Sequence, residues 1–248
     1  MSERNCGELR IYETPGDLEK ALADLVVTDA KEAIRERGAF YVALAGGRTP
    51  QAAYALLAAN GRRDAIDWQH VFIYFGDERC VPPESDDSNY KMASDALLSM
   101  VPVPPQNVHR MHGEDDPARA ARAYAQALVE TMGESPRFDL ILLGMGADGH
   151  TASLFPQADP GTDDDQLVRA VYVEKLGGYR LTLTPRVINN ARHVAIALVG
   201  SEKAPILRVV REGPYDPVNY PVQIVSPVDG TLTWLVDRSA AAPLTGSG

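Results

Sequence analysis

Four short runs in this chain are almost entirely apolar, and they constrain the fold more than any other feature. They cover residues 40–45, 71–75, 138–143 and 193–199. An apolar run of strand length is typical of a parallel sheet, whose strands are buried on both faces. Segments with a helical spacing of apolar residues separate these runs. The alternation predicts an α/β fold: a single three-layer domain over residues 1–248, with a largely parallel, Rossmann-like sheet covered by helices on both faces.

The helix predictions rest on periodicity and on capping residues. The spacing predicts helices over residues 16–37, about 89–100, 117–132 and 204–211, and a short one after Pro185. Thr49 and Pro50 have the chemistry of an N-cap and a first helical residue, so a further helix is expected to begin there. Residues 168–173, 180–184 and 232–236 are predicted strands, and the tail 239–248 is expected to be frayed.

Composition limits the classes of partner. The chain has 248 residues, a formal net charge of −10 and 45% apolar residues. Binding to nucleic acid or to an anionic membrane needs a basic surface, so we expect neither partner. A small anionic substrate in a local basic pocket remains compatible with this charge, and we expect a monomer or a weak homodimer.

The chain's cysteines and N-terminus predict its location. Two cysteines, Cys6 and Cys80, have no metal-binding or redox spacing, which is typical of proteins from a reducing compartment. Residues 1–5 lack the apolar core of a signal peptide. We therefore expect a cytoplasmic protein.

The loop Gly46-Gly47-Arg48-Thr49-Pro50 follows the first apolar run and is the first candidate site. Backbone amides at a helix N-terminus favour a phosphate or a carboxylate, and Arg48 adds a cation with a forked geometry. The spacing differs from that of a Walker A loop. A tight turn without a ligand fits the same residues, and spacing alone does not choose between the two.

The second candidate site is the stretch 142–156, where a buried run breaks into a glycine-rich loop. Gly144, Gly146 and Gly149 match the spacing of a dinucleotide fingerprint. Pro156 opposes a long helix after the third glycine, and the acids about 20 residues on lie in a polar loop, 157–166, rather than at a strand end. The fingerprint therefore lacks its usual context.

The alternative function of this loop is catalytic. Neutral imidazole accepts a proton near neutral pH, so His150 is a candidate general base, and Asp148 could orient it. A histidine that only caps the following turn fits the same spacing. His109 and His112 lack further metal ligands, and Ser153 lacks a nucleophile elbow. Asp77, Glu78, Arg79 and Lys203 follow predicted strands and form either a site or a solvated charge cluster.

Together these segments resemble the 6-phosphogluconolactonase family, within the superfamily that includes glucosamine-6-phosphate deaminase. The resemblance is carried, in order along the chain, by residues 45–50, 75–82, 87–90, 142–156, 180–185, 200–204 and 234–238. One departure concerns the first segment, which in the family usually reads Ser-Gly-Gly-Ser-Thr-Pro. Ala45 and Arg48 replace the two serines here, so hydroxyl contacts from those positions do not carry over.

The resemblance implies a hydrolase without metal or cofactor that opens 6-phospho-D-glucono-1,5-lactone, the second step of the oxidative pentose phosphate pathway. His150 would activate water beside Asp148. Arg79, Arg180 and Lys203 would contact the substrate, the last two at its phosphate. Backbone amides of the loop 46–49 would also bind it, and amides near His150, such as that of Gly146, or Arg79 would meet the developing oxyanion.

Two other functions remain open at this point. The deaminase branch has a carboxylate before the proline that follows its histidine loop, and Phe155 occupies that place here, which favours the lactonase. Asp77 matches a carboxylate that the deaminase branch uses, so its role stays open. The third hypothesis is a sugar-phosphate-binding regulator without turnover.

Overall fold

The structure, a computed structural model, describes residues 6–59, 61–159 and 165–244. Its nine strands are β1 (Glu8–Tyr12), β2 (Phe40–Leu44), β3 (Val71–Phe75), β4 (Asp77–Arg79), β5 (Leu140–Leu143), β6 (Val168–Val173), β7 (Gly178–Leu183), β8 (His193–Leu198) and β9 (Thr231–Asp237). Its α-helices are α1 (Pro15–Arg37), α2 (Arg48–Ala58), α3 (Asn89–Ala93), α4 (Pro117–Met132), α5 (Pro185–Asn189), α6 (Ala204–Glu212) and α7 (Arg238–Ala241).

Six strands form the main sheet, in the order β1-β9-β8-β5-β2-β3, and every neighbouring pair is parallel. Alternate residues of the central strand β5 enter different apolar cores. Ile141 and Leu143 belong to the core that includes Tyr124 of α4, whereas Leu140 and Leu142 belong to the core that includes Leu22 of α1. The sheet is therefore covered on both faces, and the predicted three-layer α/β fold is confirmed.

Local chemistry explains where the longest helix begins and ends. The Thr14 side chain caps α1 by accepting a hydrogen bond from the backbone N–H of Asp17, and Pro15 occupies the first turn. Gly38 ends the helix in the left-handed region, at φ 79°, which a residue without a Cβ adopts readily.

The structure corrects four local predictions. Helix α2 begins at Arg48 with Gly47 as its N-cap, two residues earlier than the expected start at Thr49 and Pro50. The predicted helix over 89–100 divides into α3 and a π-helical turn, Ser94–Leu98. A short helix, α7, and a buried Leu244 occupy the tail that was expected to fray from residue 239. The fourth correction is a second, antiparallel sheet, β4-β7-β6, beside the parallel one.

Some sequence predictions fall on residues outside the described ranges. These are the N-terminal residues 1–5, the end of the tail at 245–248, and residues 160–164 of the acidic loop. Among the helices of the described ranges, none is both long enough and apolar enough to span a bilayer.

Two buried tyrosines hold the C-terminal ends of neighbouring strands. The Tyr54 hydroxyl, from α2, accepts a hydrogen bond from the N–H of Ala45 and donates one to its carbonyl, both at 2.9 Å. The Tyr124 hydroxyl, from α4, does the same for Phe75, at 2.8 and 3.2 Å. A buried backbone group without a partner costs about 1–3 kcal/mol. Each hydroxyl therefore fixes the backbone where β2 or β3 runs into a loop.

We predict that Tyr54→Phe and Tyr124→Phe each lower the free energy of unfolding by about 1–3 kcal/mol, because each leaves one buried N–H and one buried C=O unpaired. Urea denaturation followed by circular dichroism measures the change. Tyr215→Phe, at a tyrosine that is 60% exposed, is the matched control and should shift the midpoint little. Unchanged midpoints for both buried variants would contradict this role.

Candidate active site

The C-terminal ends of β2, β3, β5 and β8 lie at one edge of the parallel sheet, and a pocket of about 340 Å³ opens there. Polar groups delivered to this edge by the following loops are the usual way an open α/β sheet forms a site. The pocket brings together nine of the residues predicted from the sequence: Gly46, Gly47, Arg48, Thr49, Asp77, Arg79, Gly146, His150 and Lys203.

His150 and Asp148 form a hydrogen-bonded pair at this pocket. The His150 Nδ1 atom lies 2.5 Å from Asp148 Oδ1, and both side chains are about one third exposed, at 32% and 33%. Burial opposes ionisation of Asp148, but hydrogen bonds from Lys175 and from His150 outweigh it and hold the pKa of Asp148 below its ordinary value. An ionised carboxylate accepts the proton on Nδ1, so neutral His150 carries its lone pair on Nε2.

Lys175 is a member of this group that the sequence did not indicate. It lies in the turn Glu174–Leu176, between β6 and β7, and its ammonium donates to Asp148 Oδ2. A single lysine in a polar turn has no local pattern that points to a site. Only the pairing of β6 with β7 brings it beside a residue 27 positions away.

The glycine loop shapes the space around the pair. A Cβ at Gly146 would lie 2.1 Å from His150 Nδ1 and 2.6 Å from Asp148 Oδ1, so only glycine lets the two side chains meet there. Gly149 has φ 83°, in the left-handed region. No helix follows it in residues 150–159, and the dinucleotide interpretation therefore lacks its helix in this part of the chain.

Phe155 covers one face of the imidazole. Its ring centroid lies 4.6 Å from that of His150, with 31° between the planes. The position that carries a carboxylate in the deaminase branch is thus filled by an aromatic ring in direct contact with the candidate base. An aromatic ring has no proton to exchange with a sugar.

Cations and a helix N-terminus line another part of the pocket. The N-cap of α2 is Gly47, and no side chain in the described residues caps this helix. Arg48, Arg79 and Lys203 all reach the pocket, although the chain as a whole has a net charge of −10. Arg48 and Lys203 have no side-chain partner within 6–59, 61–159 and 165–244. Free amides and unpaired cations in one place suit a phosphate.

A carboxylate network ties three loops of the pocket together. Asp77 accepts hydrogen bonds from Ser153 Oγ at 2.8 Å and from Asn89 Nδ2 at 3.2 Å. Asn89 packs on Gly46 so closely that a Cβ there would lie 2.0 Å from its Oδ1. With one hydrogen bond on each oxygen, Asp77 links the loops that carry Ser153 and Asn89.

Glu78 is buried beside this network and fixes the backbone of the segments next to it. Its carboxylate accepts hydrogen bonds from the backbone N–H groups of Arg79, Asn89 and Tyr90 and from the Ser88 hydroxyl. Burial raises the pKa of the Glu78 carboxyl, while the three N–H groups favour its charged form. The sequence indicated charge at this position but not its burial.

Arg180 is a predicted substrate contact that lies outside the lining of the pocket. It pairs with Arg79 across β4 and β7, and its Nη1 donates to the carbonyl of Tyr179 at 3.1 Å. Its role at the phosphate stays a prediction.

His109 and His112 are not part of this site. They line a separate cavity of about 490 Å³ beside α4, and the His109 ring stacks on Tyr74 with centroids 4.5 Å apart. In the described part of the chain, no three histidine, cysteine, aspartate or glutamate side chains gather as metal ligands would. The Ser153 hydroxyl donates to the Asp77 carboxylate rather than to a histidine.

Known proteins that are similar to this chain over most of its length include several named 6-phosphogluconolactonase. A Synechocystis protein named 6-phosphogluconolactonase is 40% identical over 232 residues, which cover 92% of this chain and 93% of that one. A 6-phosphogluconolactonase from Haemophilus influenzae is 32% identical, with 81% and 85% covered.

Solved structures share the fold. The 6-phosphogluconolactonase of Trypanosoma cruzi superposes with a TM-score of 0.86 at 28% identity, over 96% of this chain and 97% of that one. A monomeric glucosamine-6-phosphate deaminase reaches a TM-score of 0.81 at 21% identity, over 95% and 99%, and shares the fold alone.

The sequence model described as glucosamine-6-phosphate isomerases/6-phosphogluconolactonase matches residues 13–234, most of the chain. With the site geometry and these relatives, that match shows that the chain belongs to the family of glucosamine-6-phosphate isomerases and 6-phosphogluconolactonases.

Proposed function

We propose that this protein is a 6-phosphogluconolactonase, which hydrolyses 6-phospho-D-glucono-1,5-lactone to 6-phospho-D-gluconate. The observation that carries the proposal is the His150–Asp148 pair, 2.5 Å apart, at a pocket lined by Arg48, Arg79 and Lys203. A lactone is an activated ester, so a positioned water, a base and donors for the oxyanion suffice for its hydrolysis. The names of the relatives, in both the sequence and the structure comparisons, support the same activity.

In the proposed mechanism, His150 is both base and acid. Asp148 holds the Nδ1–H, and Nε2 takes a proton from water as its oxygen bonds to the lactone carbonyl carbon. The carbonyl electrons move to the oxygen, and Arg79 or a loop amide such as that of Gly146 donates to the resulting oxyanion. When the oxyanion collapses, the bond to the ring oxygen breaks, and Nε2–H returns its proton to that oxygen.

Binding of the phosphate is assigned to the corner where α2 begins. The amides of residues 46–49, the Arg48 guanidinium and the Lys203 ammonium would hold the dianion there, with Arg180 as a further candidate ligand. Holding the remote phosphate fixes the carbonyl relative to His150, which lowers the entropic cost of reaching the transition state.

We further propose the cellular setting that this reaction implies. The reaction is the second step of the oxidative pentose phosphate pathway, in the cytoplasm, and the protein is a monomer or a weak homodimer that needs no cofactor. Both cysteines are thiols in the structure, which fits a reducing compartment.

Two assays separate the three candidate functions. Freshly generated 6-phosphogluconolactone is supplied, and acid release is followed above the spontaneous rate. Glucosamine 6-phosphate is supplied in parallel, and ammonia is measured. Accelerated lactone opening without ammonia supports the proposal, ammonia alone would identify a deaminase, and binding of sugar phosphate without either product would identify a regulator.

We predict that His150→Asn lowers kcat for lactone hydrolysis by about 10²–10⁴-fold, the usual contribution of a general base, and leaves KM nearly unchanged. Stopped-flow acid release measures both constants. His112→Asn, at a histidine that is 53% exposed and outside the pocket, should behave like the wild type. Near-normal turnover by His150→Asn would show that His150 is not the general base.

We predict that Lys203→Ala and Arg180→Ala weaken kcat/KM for the phosphorylated lactone selectively. Losing a hydrogen bond to a charged group costs about 1.5–3 kcal/mol, roughly 10–150-fold. Glucono-1,5-lactone lacks the phosphate, so its hydrolysis should change much less. A variant that loses equal activity on both lactones would show that its residue does not bind the phosphate.

We predict that Gly146→Ala lowers kcat/KM by tenfold or more while the protein stays folded. The added Cβ would lie within van der Waals distance of both His150 and Asp148, so the pair has to separate. Gly144→Ala is the matched control in the same loop, because its Cβ would meet no atom within 4 Å. Equal activities for the two alanine variants would show that the pair tolerates the displacement.

A further inference from the structure

Lys175 is placed at the site by a second sheet, not by the loops that follow the parallel strands. Its turn, Glu174–Leu176, joins β6 to β7, which pair along their whole lengths from Val168↔Leu183 to Val173↔Gly178. The far end of this hairpin is anchored in the core, since Leu181 and Leu183 are fully buried. Packing therefore fixes the base of the hairpin, and the pairing of β6 with β7 places the turn from there.

The Lys175 ammonium touches both groups that hold the His150 ring. It donates to Asp148 Oδ2, while Asp148 Oδ1 lies 2.5 Å from His150 Nδ1. It also lies 5.1 Å from the centroid of the Phe155 ring, whose plane is tilted by 31° against the imidazole. The Lys175 side chain therefore contacts both Asp148 and Phe155, the two residues that contact the His150 ring.

Stability is a weak reason for this arrangement. Lys175 is 56% exposed, and an exposed ion pair contributes about 0–1 kcal/mol after the entropy of ordering a lysine is counted. The charge of Lys175 has a clearer consequence at His150. Asp148 alone would stabilise a charged imidazolium, whereas a cation on its other oxygen offsets that effect.

We propose that Lys175 is a positioning residue of the lactonase site, which holds Asp148 against His150 and offsets the charge of the carboxylate that the imidazole faces. The catalytic role of Lys175 depends on the proposed function, whereas its electrostatic effect on the imidazole is a property of the free protein. The other charged groups facing the same pocket are Arg48, Asp77, Arg79, Glu202 and Lys203, and none of them is altered in the test.

Histidine titration by NMR tests the proposal without using activity. The chain has five histidines, and the His150 signal is assigned as the one that His150→Asn removes. In Lys175→Met we expect the His150 midpoint to rise by about 0.5–1 pH unit, the effect of losing one partly screened cation. Lys175→Arg should restore the wild-type midpoint, because it restores the charge.

Lys20→Met is the matched control. Lys20 is 61% exposed and forms an ion pair with Asp17 on α1, so its loss removes the same charge at another place. Its variant should leave the His150 midpoint unchanged. An unchanged midpoint in Lys175→Met, or a shift that Lys175→Arg does not reverse, would overturn the proposal.

The pH profile of kcat/KM provides the catalytic readout. For Lys175→Met we expect a several-fold loss of kcat/KM below neutral pH and near wild-type values at alkaline pH. A loss of equal size at every pH would overturn the proposal and indicate a purely structural role. If the wild type failed to accelerate lactone opening, the proposed function would fail, while the NMR comparison would still decide the role of Lys175.

Discussion

The site depends on how buried backbone groups are satisfied where parallel strands end. Within the sheet, the backbone groups of each strand form hydrogen bonds with neighbouring strands, but this ladder ends where the chain enters a loop. At Ala45 and Phe75 a tyrosine hydroxyl from a covering helix pairs with both the N–H and the C=O. The segments that follow these residues lead to Arg48, the first residue of α2, and to Asp77, the first residue of β4, so the covering helices fix where both segments begin.

The pocket is lined by three cations although the chain as a whole is negatively charged. A net charge of −10 repels an anionic substrate at long range, yet Arg48, Arg79 and Lys203 converge at one edge of the sheet. Steering over distance is weak under physiological salt, because screening acts within about 10 Å. Local cations and helix amides, rather than the field of the whole molecule, therefore account for phosphate binding in the proposed function.

Much of the fold could be predicted because its strands are apolar throughout and its helices are periodic. Both signals are local, and they placed β2, β3, β5 and β8 close to their observed bounds. The antiparallel sheet was not predicted because β4 is three residues long and entirely charged. Burial of Glu78 depends on donors from Arg79 and from residues 88–90, most of which come from another part of the chain. Glycines and a histidine marked the candidate site, but Lys175 reaches it through strand pairing, which no local pattern reveals.

The contact between Lys175 and the Phe155 ring constrains the residue at position 155. In the deaminase branch of the superfamily, a carboxylate occupies the place of Phe155. In this chain, an acid at residue 155 would stand beside the same ammonium that pairs with Asp148, and beside the same imidazole. Two carboxylates would then compete for one cation and one histidine. In this chain, an acid in place of Phe155 would therefore disturb the pairing of Lys175 with Asp148, so the hairpin turn constrains which residue the histidine loop can carry at position 155.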